Sequence, residues 1–165
     1  MIKISKMYKQ AISVILNHEG GYANNPNDPG GETNFGISKR SYPEIDIRNL
    51  TREKAIDIYH VDYWKPLKLY MIDNANICLE IFDFAVNSGM SRSVKTAQKL
   101  VGTNEDGIMG AITAGKINDY AKDFVKDYKH ARIIYYENLA NKKPELQIFL
   151  RGWINRVNHN YFINI

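Results

Sequence analysis

Two acidic side chains and a threonine lie close together near the start of the chain, within a stretch rich in glycine and proline. Glu19 and Asp28 are nine positions apart, and Thr33 follows five positions later. A pair of carboxyl groups in unlike surroundings can act as a proton donor and an ionised partner, the arrangement that hydrolyses glycosidic bonds. The pattern therefore predicts glycoside hydrolysis by the pair Glu19 and Asp28, with Thr33 placed to hold a water or a sugar hydroxyl beside them.

The surroundings expected for Glu19 suit the proton donor. Tyr8, Ile12 and Ile15 share one face of a predicted helix, and Glu19 continues that face towards the helix end. Burial and the negative end of the helix dipole both favour the protonated carboxyl. The alternative is a Glu19 that is solvated beyond the helix end, and spacing alone does not choose between the two.

Asp28 belongs to the turn-rich segment that follows this helix. Gly20 and Gly21 supply the backbone freedom that ends a helix, and residues 24–36 are rich in turn formers. Asp28 should stay ionised in such polar surroundings. An aspartate before Pro29 is also an ordinary turn former, so both interpretations of Asp28 stay open.

Polar and aromatic side chains supply candidate contacts to a sugar substrate. Amides and hydroxyls can bond a water, a sugar hydroxyl or an acetamido group, and aromatic faces pack against pyranose rings. Packing is the alternative for Tyr63 and Trp64, because such rings on an apolar helix are more often core residues. The candidate substrate-binding residues are Tyr22, Asn34, Phe35, Tyr63, Trp64 and Asn87.

Helical patterns dominate the rest of the chain. Thr51 and Ser91 are N-cap candidates for two helices. Two longer helices should complete the chain, and the second should open at Pro144. A short β-ribbon is expected within residues 31–38, so the predicted architecture is mostly α.

Composition excludes several classes of protein. The 165 residues carry a formal charge of +4, and acidic and basic residues alternate, as in "YAKDFVKDYKHAR", which is typical of a solvated helix face. No basic stripe suggests nucleic-acid binding, and no apolar run is long enough for stable membrane insertion. With one cysteine, Cys78, the chain can form neither a disulfide nor a thiolate metal site, and we expect no metal and no other cofactor.

The stretch "NHEGGYANNPNDPGGETNFGIS" resembles the signature of the N-acetylmuramidases of glycoside hydrolase family 108. That signature centres on Glu-Gly-Gly-Tyr and continues through Asp-Pro-Gly-Gly-x-Thr. "IYHVDYWKPL" and "FDFAVNSG" are similar to later blocks of the family, and "TAQKLVG", "DGIMGAIT" and "FLRGWINRV" resemble the peptidoglycan-binding region that usually follows. The resemblance implies a mostly α, lysozyme-like fold in one compact unit, with a catalytic region over 1–92 and a helical peptidoglycan-binding-like region over 93–165.

The resemblance also implies roles for individual residues. Glu19 matches the catalytic glutamate of the family, and the succession of Glu19, Asp28 and Thr33 is similar to that of phage-type lysozymes. The implied reaction is cleavage of the β-1,4 bond between N-acetylmuramic acid and N-acetylglucosamine, with peptidoglycan glycan strands as the partner. The alternative is a catalytically silent peptidoglycan-binding module of a cell-wall or secretion assembly.

We do not expect the N-terminal segment to be a classical signal peptide, because the apolar run after the first lysines, residues 11–16, is short. We expect synthesis in the cytoplasm and action in the periplasm or cell wall. Release would then depend on a holin, on lysis or on secretion machinery. These routes correspond to a phage endolysin, a prophage remnant or a toxin-release muramidase, and the sequence leaves all three open.

Overall fold

The computed structural model describes residues 5–24, 31–120 and 122–159. Within them lie seven α-helices and one three-stranded antiparallel sheet, which confirms the predicted mostly α fold with a short β-ribbon. The chain divides into two compact units, Met1–Asp62 and Tyr63–Ile165, where the sequence suggested one.

The first unit opens with helix α1, Lys6–Glu19. The Ser5 side chain caps it by accepting a hydrogen bond from the Tyr8 backbone N–H at 3.1 Å. The apolar stripe of α1 is buried, and the helix ends at Glu19. The cap residue Gly20 follows with a φ of 71°, which is favourable for glycine. The predicted helix end at Glu19 is confirmed.

The sheet follows α1 and consists of β1 (Ala23–Asn24), β2 (Glu32–Asn34) and β3 (Ile37–Ser38). All neighbouring strands are antiparallel, and Asn34 pairs with Ile37 across a two-residue turn. The turn residues Phe35 and Gly36 both have positive φ, 52° and 75°. This is the mirror-image turn whose twist matches a β-hairpin.

Helix α2, Arg52–Tyr59, completes the first unit. The predicted cap is confirmed, because the Thr51 hydroxyl accepts a hydrogen bond from the Lys54 backbone N–H at 3.2 Å. The helix runs on as a π-helical turn, His60–Trp64.

Helices are the regular secondary structure of the second unit in the residues described. Its helices are α3 (Ala75–Ser88), α4 (Met90–Val101), α5 (Ala111–Tyr120), α6 (Phe124–Lys142) and α7 (Gln147–Asn158), with 3-10 turns at Leu69–Met71 and Pro144–Leu146. The prediction of Ser91 as a cap is wrong, since α4 begins at Met90 directly after Gly89. Three helices, not two, follow residue 110, because α5 buries only Thr113, Ala114 and Ile117 and therefore has a weak periodic pattern.

Helix α3 forms the centre of this unit and is buried on nearly all sides. Its Glu80 and Asp83 form ion pairs with Arg132 of α6, whose side chain is completely buried. The expectation of a solvated face for the segment ending at Arg132 is therefore wrong at that residue. The two acidic partners on α3 offset the free-energy cost of burying the guanidinium. They lie about 50 positions before Arg132, so a local sequence pattern does not reveal them.

Candidate active site

Glu19, the last residue of α1, is half-buried, and its carboxylate lies against the β2–β3 turn. A Cβ atom at Gly36 would be 2.5 Å from Glu19 Oε2 and 2.8 Å from Glu19 Cγ. Since such separations are below contact distance, the space that glycine leaves empty is filled by the Glu19 side chain. The turn therefore covers one side of the carboxylate with backbone.

Tyr59, the last residue of α2, joins the same cluster. Its hydroxyl donates a hydrogen bond to the Phe35 carbonyl oxygen at 2.9 Å, and it would lie 2.6 Å from a Cβ at Gly36. Only 2% of Tyr59 is exposed. Three segments thus meet here: the end of α1, the hairpin turn and the end of α2. Sequence reasoning missed Tyr59, although its four-residue spacing from buried Ala55 was a signal.

Phe35 holds an uncommon backbone conformation, a φ of 52° in a residue other than glycine. Such strained positions persist where the surroundings over-determine them and often occur at functional sites. The hydrogen bond from Tyr59 and the strand pairing on both sides hold this one. The side chain is half-buried, and its role as an apolar wall for substrate stays a prediction.

Asn34 faces the interior. It is 6% exposed, and its amide donates hydrogen bonds to the backbone oxygens of Ile47 at 3.1 Å and Leu50 at 3.4 Å. These contacts attach the hairpin to the loop that precedes α2. They favour a structural role for Asn34, and sugar binding by this residue stays a prediction.

The other two candidate catalytic residues follow Glu19 along the chain. Thr33 is half-buried in the central strand, where it pairs with Ala23 on one side and Ser38 on the other. Asp28 lies outside the described residues. The predicted roles of Thr33 and Asp28 therefore stay predictions.

Tyr22 belongs to an exposed polar cluster beside the sheet. Its hydroxyl donates a hydrogen bond to Glu32 Oε1 at 2.9 Å and accepts one from Arg48 at 3.4 Å. The Arg48 guanidinium also lies 5.5 Å from the centre of the Tyr22 ring. The hydrogen bond to Tyr22, with the negative charge of Glu32, raises the pKa of Arg48 above its ordinary value. Sequence reasoning named Tyr22 here but neither of its charged neighbours.

The remaining candidate binding residues belong to the second unit. Trp64 is 4% exposed and packs edge-on against Phe82, with ring centres 5.4 Å apart. The Asn87 amide donates a hydrogen bond to the Tyr136 hydroxyl at 2.5 Å. These contacts favour packing roles for both residues, and Tyr63 is half-buried. Substrate binding by the three residues stays a prediction.

Comparison with known proteins decides the family. A solved structure of Brucella abortus SagA is 32% identical to this chain and covers 92% of it, and the match spans 89% of that chain with a TM-score of 0.78. The glycosyl hydrolase 108 family model matches residues 12–89, and a model described as a predicted peptidoglycan domain matches residues 92–158. The chain belongs to the glycosyl hydrolase 108 family. The search of curated proteins found no match.

As a member of family 108, the chain is a glycoside hydrolase with a role in peptidoglycan hydrolysis or binding. The matched segment 12–89 contains the whole cluster of Glu19, Gly36 and Tyr59. In the part of the chain that the structure describes, no helix has the length and apolarity to cross a bilayer. The family models meet between residues 89 and 92, and the domain boundary at 92/93 stays a prediction.

Gly36→Ala is expected to reduce hydrolysis by this family 108 protein by at least about tenfold. The alanine Cβ would overlap Glu19 Oε2 and the Tyr59 hydroxyl, so the carboxylate must move away from its position. A positive φ adds a further cost of roughly 1–2 kcal/mol for a residue other than glycine. The measurement is the rate at which reducing ends are released from purified sacculi, divided by the concentration of folded protein.

Gly31→Ala is the matched control for this prediction. Gly31 also has a φ of 71°, but a Cβ there meets only Lys39 Cβ, at an ordinary distance of 3.9 Å. This variant should lose only the stability that the positive φ costs, and it should keep its rate. Equal losses of rate in the two alanine variants would contradict the placement of Glu19 against Gly36.

Proposed function

We propose that the chain is an N-acetylmuramidase that cleaves the β-1,4 bond between N-acetylmuramic acid and N-acetylglucosamine in peptidoglycan. Glu19 is the general acid. The observation that carries the proposal is the half-buried carboxylate at the end of α1, covered by the backbone of Gly36. A carboxyl group held in a fixed, partly enclosed position can donate a proton to the leaving oxygen of a bound substrate.

The reaction begins with protonation of the glycosidic oxygen by Glu19. As the C–O bond breaks, the leaving sugar takes the proton as a hydroxyl group, and the other sugar develops oxocarbenium character. Asp28 then either stabilises this charge or activates the attacking water. Carboxyl groups about 5–5.5 Å apart favour retention of configuration, and groups about 6.5–9.5 Å apart favour inversion.

The surrounding scaffold keeps the acid in place. Tyr59 holds the Phe35 carbonyl oxygen, and this contact fixes the turn that covers Glu19. A catalytic group held in one position loses less entropy when the transition state forms. Tyr59 is therefore a positioning residue that acts through the turn.

Mass spectrometry of digested sacculi tests the proposed bond. Borohydride reduction labels each new reducing end, and a muramidase leaves reduced muramic acid. We expect muramic ends as the dominant product of the wild-type protein. Reduced glucosamine ends would instead identify a glucosaminidase and overturn the proposal.

The alternative function is a peptidoglycan-binding module that has lost catalysis. The match to the predicted peptidoglycan domain over 92–158 favours it, and the intact Glu19 within the family 108 segment disfavours it. Sedimentation with sacculi without release of reducing ends would support this alternative. Delivery to the wall through a holin, lysis or secretion stays a prediction.

A further inference from the structure

A groove of about 630 Å³ lies in the second unit where α4 begins, beside α6. Its lining combines three basic side chains with one acidic side chain and one aromatic ring. These five residues are Arg92, Lys95, Lys99, Glu105 and Tyr135. The groove therefore has an excess of positive charge.

A second, more apolar groove of about 500 Å³ shares Thr96, Lys99 and Tyr135 with the first. Its other lining residues are Leu100, Ala131 and Ile134. Ile134 is 43% exposed although it is a large aliphatic residue. The two grooves together form one surface, basic at one end and apolar at the other, which we call the α4–α6 groove.

Arg92 is positioned in this groove by the aromatic ring beneath it. Its guanidinium lies 4.6 Å from the centre of the Tyr135 ring, and Tyr135 packs edge-on against the buried ring of Phe84 at 5.5 Å. A guanidinium held over a fixed ring loses little freedom when it binds an anion. Its planar donors suit the two oxygens of a carboxylate.

The positive charges of the groove outnumber the acids beside them. Among the residues that the structure describes, none of Arg92, Lys95 and Lys99 forms an ion pair. Glu105 is the acid of the lining, and Asp106, which interacts electrostatically with Lys95, accepts a hydrogen bond from Gln98 at 2.8 Å. Three exposed cations are thus available to an anionic ligand.

We propose that the α4–α6 groove binds the peptide stems of peptidoglycan through their carboxylate groups. The inference rests on peptidoglycan as the substrate of the proposed function. Stem peptides combine several carboxylates with alanine methyl groups, and these features match the basic end and the apolar end of the groove. A glycan strand without stems presents only one carboxylate per disaccharide, that of the muramic lactyl group, and would bind here more weakly.

Calorimetric titration of the full chain with the Glu19→Gln substitution tests this proposal without cleavage of the ligand. The probes are a soluble disaccharide-tetrapeptide and the same disaccharide without its peptide. In that background, joint replacement of Arg92, Lys95 and Lys99 by Gln should weaken binding of the tetrapeptide form by at least about tenfold, because charged hydrogen bonds are lost. Binding of the peptide-free form, which carries a single carboxylate and no peptide, should change much less.

A second triple variant serves as the control, because it has the same net charge as the groove variant. It replaces Lys126, Lys142 and Lys143, which are exposed and lie outside the lining of the groove, by Gln. This variant should bind the tetrapeptide form as the Glu19→Gln background does. Equal weakening in both triple variants would show a general charge effect and overturn the inference, and so would equal affinity for the two probes.

The experiments distinguish a failure of the groove proposal from a failure of the muramidase proposal. With Glu19 restored, the groove variant should cleave peptide-free glycan at the wild-type rate. If glucosamine reducing ends appear, the muramidase proposal fails while the binding result stands. If the groove variant binds the tetrapeptide form normally, the groove proposal fails while the hydrolysis result stands.

Discussion

Glu19→Gln should reduce glycan cleavage by roughly 10²–10⁴-fold, the usual contribution of a general acid. Glutamine keeps the size of the side chain and its fit against Gly36, but it has no acidic proton to donate. The melting temperature should therefore stay close to that of the wild-type protein. The rate is measured as the release of reducing ends from sacculi, and circular dichroism measures the melting temperature.

Glu44→Gln provides the control for this charge change. Glu44 is exposed in the same unit, so its replacement removes one negative charge without a change at the site. Its rate should equal that of the wild-type protein. If Glu19→Gln cleaves as fast as Glu44→Gln, another group supplies the proton and the assignment of Glu19 is wrong.

Arg132→Met should lower the free energy of unfolding by about 3–5 kcal/mol, the cost of a buried charge that loses its partner. The Arg132 guanidinium donates to Glu80 Oε2 at 2.5 Å and to Asp83 Oδ2 at 2.6 Å, and none of its side chain is exposed. Methionine fills much of the same volume but has no charge, so the negative charges of Glu80 and Asp83 lose the cation that they share. Urea denaturation followed by circular dichroism measures the loss.

Arg156→Met is the control for this prediction, because it removes a less buried partner of Asp83. Arg156 also binds Asp83, at 2.8 Å, but its side chain is 14% exposed and its loss leaves Arg132 in place. The stability loss should be clearly smaller than for Arg132→Met. A larger loss for Arg156→Met would contradict the central role of Arg132.

The contacts with Arg132 and Arg156 also explain why Asp83 has a lowered pKa although it is buried. Burial alone would raise its pKa, but Arg132 and Arg156 outweigh burial and hold the pKa below its ordinary value. The unfolded chain therefore takes up a proton at Asp83 at a higher pH than the folded chain. The stability that Asp83 contributes is present above the unfolded pKa, and it is lost as pH falls through the folded pKa.

Several features of the active-site region were predictable from the sequence, because local patterns encode them. The spacing of apolar residues before Glu19 and the glycines behind it predict where α1 ends. The hydroxyl of Thr51 predicts the start of α2. The pair Phe35–Gly36 between short polar runs is compatible with the β-ribbon that was expected over 31–38.

Contacts between distant segments were not predictable in this way. Tyr59 lies 40 positions after Glu19, yet both residues contact the space at Gly36. Arg132 belongs to a segment whose alternating charges indicate a solvated face, and only its partners on α3 explain its burial. Asn34 has the polarity of a ligand contact, but the backbone oxygens of the next loop bind its amide.

By itself, the sequence determined the mostly α fold, the end of α1 at Glu19 and the resemblance to family 108, since each depends on residues close together in the chain. The tertiary structure alone decided that the hairpin turn covers the Glu19 carboxylate and that Tyr59 supports this turn. It also decided which charged side chains are buried and which remain available in the α4–α6 groove. The physical reason is that burial depends on the partners that packing brings together from far apart in the sequence.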